Sequence, residues 1–461
     1  MPLTTAESIL RRLDAGTASS PELEKVLGQS QSAVSRQLRQ LLASRQVIRI
    51  GSTRGARYGR VRQIEGIGSQ WPLRRIDQSG RIHSLGTLTA LAGDQYYFQA
   101  EAANFAWSGL AAGLPYFLQD QRPAGFLGRA VPRRYPELNL PQRVDHWNDD
   151  HYLQYLTLQE ADPVGDLVLG DGAFDVFLAR QRRRESIPVG EREQRYPQLV
   201  TDVMEGGLPG SSAQGEQPKF TALIEDHSGP RHVIVKFSPL VNSAVGQRWS
   251  DLLIAEHLAH EVLSQSGIAA SRSRIEHYEG RTYLEVDRFD RAGLEGRIGV
   301  TSLFAIDTVQ YGRLDNWIAA ALRLRNDQRI DDDTLELVRL VATFGSLIAN
   351  TDRHFGNLAF YDQYDGRYTL APIYDMLPMF FKPEHDQVTA RVFAPPDPTS
   401  ETLNSYGRAR ALAEGYWARI VAESRVSDEF RDIAAAAGAA LKALPRTGGY
   451  VYAEDSASLS P

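Results

Sequence analysis

The chain has 461 residues, 42% apolar and 23% charged, which is too long for one ordinary core and typical of two to four globular domains. It contains no cysteine, excluding a disulfide framework, a zinc–thiolate site and a cysteine nucleophile. The net charge of −6 is unevenly spread, because residues 1–62 carry eleven Lys/Arg against four Asp/Glu, or +7, which leaves −13 on the remainder. No apolar run approaches the roughly 20 residues of a membrane helix, and Met1-Pro-Leu-Thr-Thr-Ala-Glu7 lacks a signal-peptide pattern. A cytoplasmic protein without membrane contact is the expectation.

Residues 1–62 read as three helices and a hairpin. Thr5 can cap a helix through Leu13, and Ser19-Ser20-Pro21-Glu22 sets a capped first turn that closes near Gly28. A third helix over about 31–44 buries Val34, Leu38, Leu41 and Leu42 at helical spacing. Its other face shows Ser32, Ser35, Arg36, Arg39 and Gln40, side chains suited to phosphates and base edges. Two short strands follow, 47–50 and 56–58, joined by Gly51-Ser-Thr-Arg-Gly55 with Arg54 at the tip and Arg57 beside it. Between Gln31 and Arg62 there are eight arginines and no acid. The layout resembles the winged helix-turn-helix of bacterial transcription regulators, implying double-stranded DNA as partner. A protein-docking module with a solvated basic face is the competing reading.

Residues 63–205 are expected to form a further subdomain whose role the sequence does not show. Strands are expected over 85–100, broken at Gly86 and Gly93-Asp94, and helices over 149–158 and 174–183.

A kinase N-lobe is expected over 206–290. Gly206-Gly-Leu-Pro-Gly-Ser-Ser-Ala-Gln-Gly215 is a small, flexible loop whose backbone N–H groups, Gly215 included, can face phosphate oxygens; a linker would look similar. Gly-Lys-Ser/Thr is missing, so it is not a Walker loop. A strand over 231–237 carries Lys236, and lysine in an apolar strand needs anions or a route to water. A helix over about 249–264 supplies Glu256, 20 residues on. Glu285 and Asp287 end the strand 283–289, where two lobes would meet around the adenine; bridging charges are the alternative.

The most informative segment lies in a helical C-lobe expected over 291–445, ahead of a flexible tail at 446–461. Leu337, Val341, Phe344 and Ile348 define a buried helix that delivers Asp352 to a loop. Asn357 follows five residues later and Asp375 18 residues after that, across a hairpin formed by 358–361 and 368–371. The hairpin returns Asp375 beside Asn357. This is the layout of a protein-kinase-type site: the first Asp takes or orients the hydroxyl proton, and the Asn and second Asp hold Mg²⁺ on ATP. Arg353 and His354 are expected to brace the loop or the transferred phosphate.

Five ordered motifs carry a family resemblance: Ser211-Ser-Ala-Gln-Gly-Glu-Gln-Pro-Lys219, Val233-Ile-Val-Lys236, Asp287-Arg-Phe-Asp-Arg291, Asn350-Thr-Asp-Arg-His-Phe-Gly-Asn357 and Ile373-Tyr-Asp-Met-Leu-Pro378. Together, over roughly 200–440, they resemble the HipA-like serine/threonine kinase toxins. With a winged helix in front, the layout is most similar to the YjjJ (HipH) branch. The resemblance implies an α+β, two-lobed protein-kinase-like (HipA-like) fold with an N-terminal winged helix-turn-helix. It implies Asp352 as catalytic, Asn357 and Asp375 as metal ligands, Lys236 as the ATP lysine with Glu256 as its partner, and Ser212 or its rival Ser211 as an autophosphorylated serine. The substrates implied are ATP with Mg²⁺ and a protein Ser or Thr, notably in an aminoacyl-tRNA synthetase, with arrest of growth. Two features depart from the family pattern. Gln214-Gly215-Glu216 stands where more glycine is usual, and the DNA-binding domain, usually brought by an antitoxin, is in the same chain. A homodimer through the winged helix is compatible with this reading but has no motif of its own. The alternatives are a DNA-binding regulator whose kinase-like module senses nucleotide, and a lipid or small-molecule kinase.

Overall fold

The computed structural model describes residues 3–52, 55–102, 105–159, 162–183, 185–205, 217–227 and 229–445. Arg54, Ser211, Ser212, Gly215 and the expected tail 446–461 lie outside them.

The N-terminal elements are helices Thr5–Leu13, Ser20–Leu27 and Gln31–Ala43 with strands Val47–Ile50 and Arg57–Arg60. The first cap is Thr4, one residue before the expected Thr5, because Glu7 closes a capping box on Thr4. Ser19 caps the second helix in the same way with Glu22, and Gly28 ends it at φ 60°. Ala18–Ser19 adds a strand that the sequence reading lacked, giving a three-stranded sheet with Arg57–Arg60 at its centre. Three helices against this small sheet form the winged helix-turn-helix, over a core that includes Ile9, Leu13, Val34, Leu38 and Val47.

The middle of the chain folds on a five-stranded antiparallel sheet ordered Gly109–Ala112, Gln95–Ala100, Ile82–Leu91, Gln70–Ile76 and Leu167–Leu169. Gly86 does not break its strand as expected. It sits where the register shifts by one residue against Leu73/Arg74, a bulge that keeps the strand continuous to Leu91. Its φ is +153°, and a Cβ there would collide with the Gln99 carbonyl oxygen. Gly86→Ala should therefore cost about 1–3 kcal/mol, the usual scale of enforced backbone strain. A thermal melt unchanged by that substitution would show that the bulge relaxes.

A second five-stranded sheet is ordered Ser273–Tyr278, Arg281–Asp287, Gly229–Phe237, Lys219–Asp226 and Ile187–Pro188. The last strand pairs parallel with Ile224 and Glu225. Tyr196 and Val200, from the helix Arg192–Glu205, pack into the core on one face of this sheet with Phe220, Val233 and Val235. The boundary expected at 205/206 thus falls inside one packed unit, because 187–205 supplies both its edge strand and its covering helix. The other face receives the long helix Ala244–Gln265, whose Leu252, Ile254, Leu258 and Leu263 belong to the same core as the C-terminal helices Asp332–Leu347, Leu403–Ala422 and Asp428–Ala443.

A knot of charges ties the middle unit to the segment between the two lobes. Asp162 pairs with Arg288 and Arg291, each at 2.6 Å, and Asp290 accepts the backbone N–H of Gly165 at 2.9 Å. Among the described residues, no helix is long and apolar enough to cross a membrane.

Candidate active site

The catalytic-loop candidate begins where the helix Asp332–Leu347 ends. Ala349 takes the left-handed conformation at φ 60°, which turns the chain out of the helix. Asn350 then organises the loop. Its side chain accepts the Asp352 backbone N–H at 2.9 Å and donates to the Asp375 carbonyl at 3.3 Å. Asn350 is 1% exposed, so these bonds are made away from water. Asn357 donates its side-chain amide to the Asp352 carbonyl at 2.8 Å. Tyr374 donates its hydroxyl to the Gly356 carbonyl at 2.6 Å, linking the segment before Asp375 to the segment before Asn357.

The hairpin behaves as its sequence suggests. Ala359–Asp362 pairs antiparallel with Tyr368–Leu370, Phe360 facing Leu370 and Asp362 facing Tyr368. Asn357 and Asp375 therefore leave the same end of the hairpin. Arg353 is half-buried and donates to the Asn350 carbonyl, so it braces the loop. His354 Nδ1 accepts the Gly356 N–H at 3.0 Å, and Trp317 donates to the His354 carbonyl at 3.0 Å. The Asp352 carboxylate is half-buried and makes no hydrogen bond or ion pair to the described residues; its backbone alone is held.

Lys236 is the centre of the second group. Its ammonium lies 2.7 and 2.8 Å from the two Glu256 carboxylate oxygens and 2.5 Å from Asp375 Oδ1. The side chains of Lys236 and Glu256 are 7% and 1% exposed. Burial alone would push the ammonium toward neutrality, but Asp375 and Glu256 reverse this and raise its pKa. Burial likewise works to raise Asp375, yet Lys236 dominates and holds its carboxyl at about 2. Glu256 is raised by burial, with Lys236 opposing. His260, a turn further along the helix, is held neutral by burial, its pKa lowered to about 3.

Two carboxylates against one ammonium leave local negative charge, and a second lysine offsets it. Lys219 is the direct cross-strand partner of Lys236, so both stand on the same sheet face. Its charge lowers both Glu256 and Asp375. Lys219 makes no ion pair among the described residues. Sequence alone gives Lys219 no role beyond its place in a motif, because its register opposite Lys236 is set by strand pairing. Asn350 was missed in the same way, its signal being a polar residue at the end of an apolar helix.

The side chains of Glu285 and Asp287, expected as hinge residues or lobe-bridging charges, are not brought to this group. Across the strand pair, Leu284 faces Lys236, whereas Glu285 faces Val235 and Asp287 faces Val233. Their side chains therefore point to the opposite face of the sheet. There Glu285 accepts the Tyr196 hydroxyl at 2.5 Å and lies 3.2 Å from Arg192, and Asp287 pairs with Arg231. Alternation along a strand placed them, and their partners Tyr196, Arg192 and Arg231 all belong to the N-lobe sheet or its covering helix, so these charges do not bridge the lobes.

Magnesium fits the residues present. Asn357 Oδ1 and Asp375 Oδ2 accept no hydrogen bond from the described residues, and both are the hard oxygen donors that this ion prefers. Among the described residues, no group of three or more His, Cys, Asp or Glu has metal-binding spacing, so these two would rely on phosphate oxygens and water for the remaining ligands.

On the winged helix, Ser32, Ser35, Arg36, Arg39 and Gln40 are all exposed along one face of the helix Gln31–Ala43. Arg57 is not free for DNA as expected. It donates to the Thr17 hydroxyl at 3.0 Å and the Thr17 carbonyl at 2.7 Å, and lies 3.4 Å from Glu22. The sheet that the added strand creates turns Arg57 back onto its own domain.

Residues 67–178 match the family described as YjjJ-like toxin, middle domain, and residues 211–441 match the HipA-like C-terminal domain. The chain is 34% identical over 436 residues to Toxin YjjJ of Escherichia coli (strain K12), covering 91% of this chain and 94% of that one. Among solved structures, it is similar to the HipA of Shewanella oneidensis MR-1, solved in complex with HipB and its operator DNA. The TM-score is 0.53 at 13% identity, covering 80% of this chain and 95% of that one. The latter likeness is one of fold: α+β, two-lobed and kinase-like.

Proposed function

Because the chain belongs to the HipA-like toxin family, in its YjjJ-like branch, we propose that it is a serine/threonine protein kinase that uses Mg·ATP. The observation that carries this reading is the buried Lys236 ammonium held by Glu256 and also by Asp375, which lies 139 residues from Lys236 in sequence. An ammonium held by a helix glutamate on one lobe and aimed at an aspartate on the other is what a triphosphate site between lobes requires.

In this reading the acceptor hydroxyl oxygen forms a bond to the γ-phosphorus as the bond to the β,γ-bridging oxygen breaks, and ADP leaves. The hydroxyl proton passes to the Asp352 carboxylate, which has no competing partner among the described residues. Lys236 and Lys219 hold phosphate oxygens. Glu256 keeps the Lys236 ammonium charged and oriented. Asn350 keeps Asp352 and Asp375 in register. Asn357 and Asp375 would hold magnesium, which neutralises charge on the phosphates when bound. Catalysis is then mostly positioning and charge stabilisation. The family resemblance points to a translation protein, such as an aminoacyl-tRNA synthetase, as the acceptor. Incubating a proteome with γ-labelled ATP tests the reading. Labelled protein bands that vanish with Asp352→Asn support it, and ATP binding without any transfer would favour a nucleotide-sensing regulator instead.

We infer that the winged helix adds a double-stranded DNA contact. Its support is the exposed Ser32, Ser35, Arg36 and Arg39 on one helix face, in a segment carrying +7. Replacing both Arg36 and Arg39 by Ala should weaken DNA binding at every sequence and reduce the slope of log K against log salt by about two. Gel shifts across a salt series measure this, and an unchanged slope would argue for a protein-docking face.

A further inference from the structure

A cavity of about 880 Å³ lies between the middle unit and the N-lobe sheet. One wall is the short helices Gly125–Arg129 and Val131–Arg134; the other is Phe220 and Thr221 with the end of the helix Arg192–Glu205. Two of its lining residues connect it through the backbone to the candidate active site. Thr221 is two residues along the strand from Lys219. Asp120, also on the lining, accepts the backbone N–H of Ser302 at 2.6 Å, and Ser302 pairs with Ala359, two residues past Asn357.

The lining is basic although the chain as a whole is acidic. Arg122, Arg129, Arg133, Arg134 and Arg180 face three aspartates, Arg122 being ion-paired to Asp149 at 2.7 Å. Asp120 is taken by Ser302, and Asp162 by Arg288 and Arg291. Arg134 and Arg180 are exposed and form no ion pair among the described residues. A smaller cavity of about 310 Å³ shares Asp162, Arg180 and Thr221 with the first and continues the basic lining through Arg183. Between these cations the wall is apolar: Phe126 and Val203 are half-buried and Leu127 is 39% exposed.

We propose that this cavity docks an acidic peptide segment of the protein substrate beside the phosphoryl-transfer site, its carboxylates on Arg134 and Arg180 and its apolar side chains against Phe126, Leu127 and Val203. The identity of the occupant as a substrate segment rests on the protein-kinase reading. Alternating charge and grease on the wall suits a peptide better than a nucleic acid strand. A strand would carry a phosphate at every step and would bring some of them against the exposed Asp202.

The test is fluorescence anisotropy with the full chain and no ATP. The probes are a fluorescein-labelled peptide of repeating Glu-Glu-Leu, its Gln-Gln-Leu counterpart, and an oligothymidylate of equal charge. The Glu peptide should bind with an affinity that falls as salt rises, and R134E/R180E should weaken it at least tenfold with an unchanged melting temperature. Should that double variant unfold, R134Q/R180Q gives the same reading with a smaller loss. Equal binding of the Gln peptide, or wild-type affinity in a folded double variant, overturns the proposal. Tighter binding of the oligothymidylate, lost in the same variant, overturns it in favour of a nucleic acid. Because nothing is phosphorylated, the Asp352→Asn protein should bind the peptide as wild type does. A failure of docking is thereby separated from a failure of the kinase reading.

Discussion

Asp352→Asn should lower phosphoryl transfer to protein by about 10²–10⁴, the usual worth of a general base, while leaving nucleotide affinity close to normal. The substitution keeps size and shape. The bonds that hold this position run through its backbone, the N–H to Asn350 and the carbonyl to Asn357, so the loop should keep its form. Only the proton acceptor is lost. The Lys236–Glu256–Asp375 group, which would meet the phosphates, is untouched. Label transfer at saturating ATP, beside the Kd of a fluorescent nucleotide, separates the two effects. Transfer within a few-fold of wild type would remove Asp352 from the mechanism; parallel loss of transfer and nucleotide binding would make it a structural residue.

Lys236→Met should abolish transfer and also destabilise the fold. Breaking a buried ion pair by removing one partner costs about 3–5 kcal/mol when the remaining charge stays buried. Glu256 has a way to reduce that cost, since burial already raises its pKa and the loss of Lys236 removes the charge opposing the rise. In the variant, the folded state would then hold a proton that the unfolded state releases above a pKa of about 4.3. The sign follows: stability is greatest below that pH and is lost as pH rises toward the folded-state pKa of Glu256. Melting curves of Lys236→Met from pH 5 to 8 should show this fall. Adding Glu256→Gln should flatten the pH dependence and recover part of the stability without restoring transfer. A double variant with full transfer would sink the assigned role of Lys236, and a pH-independent melt of Lys236→Met would show that Glu256 finds another counter-charge.

The candidate catalytic loop was legible because its geometry is local. A buried helix, a five-residue spacing and one hairpin carry Asp352, Asn357 and Asp375 to the same place with few choices left. Lys236 and Glu256 were legible for a related reason, since a charged residue in an apolar strand announces that a partner is needed. Caps were nearly as clear, although the capping box moved the first cap from Thr5 to Thr4.

What the chain alone determined is the order of its parts: a basic three-helix head, a lysine strand, a glutamate helix, then Asp, Asn and Asp around a hairpin. Tertiary structure decided everything that depends on which strand lies beside which, and in what register. It put Lys219 opposite Lys236 and turned Glu285 and Asp287 to the far face. It recruited 187–205 to the N-lobe sheet, folded Arg57 back onto Thr17, and made Asn350 the tie between two loops. The physical reason is that strand pairing is non-local and side chains alternate with a period of two, so a shift of one residue reverses every face. No local pattern in one strand records the register of its neighbour.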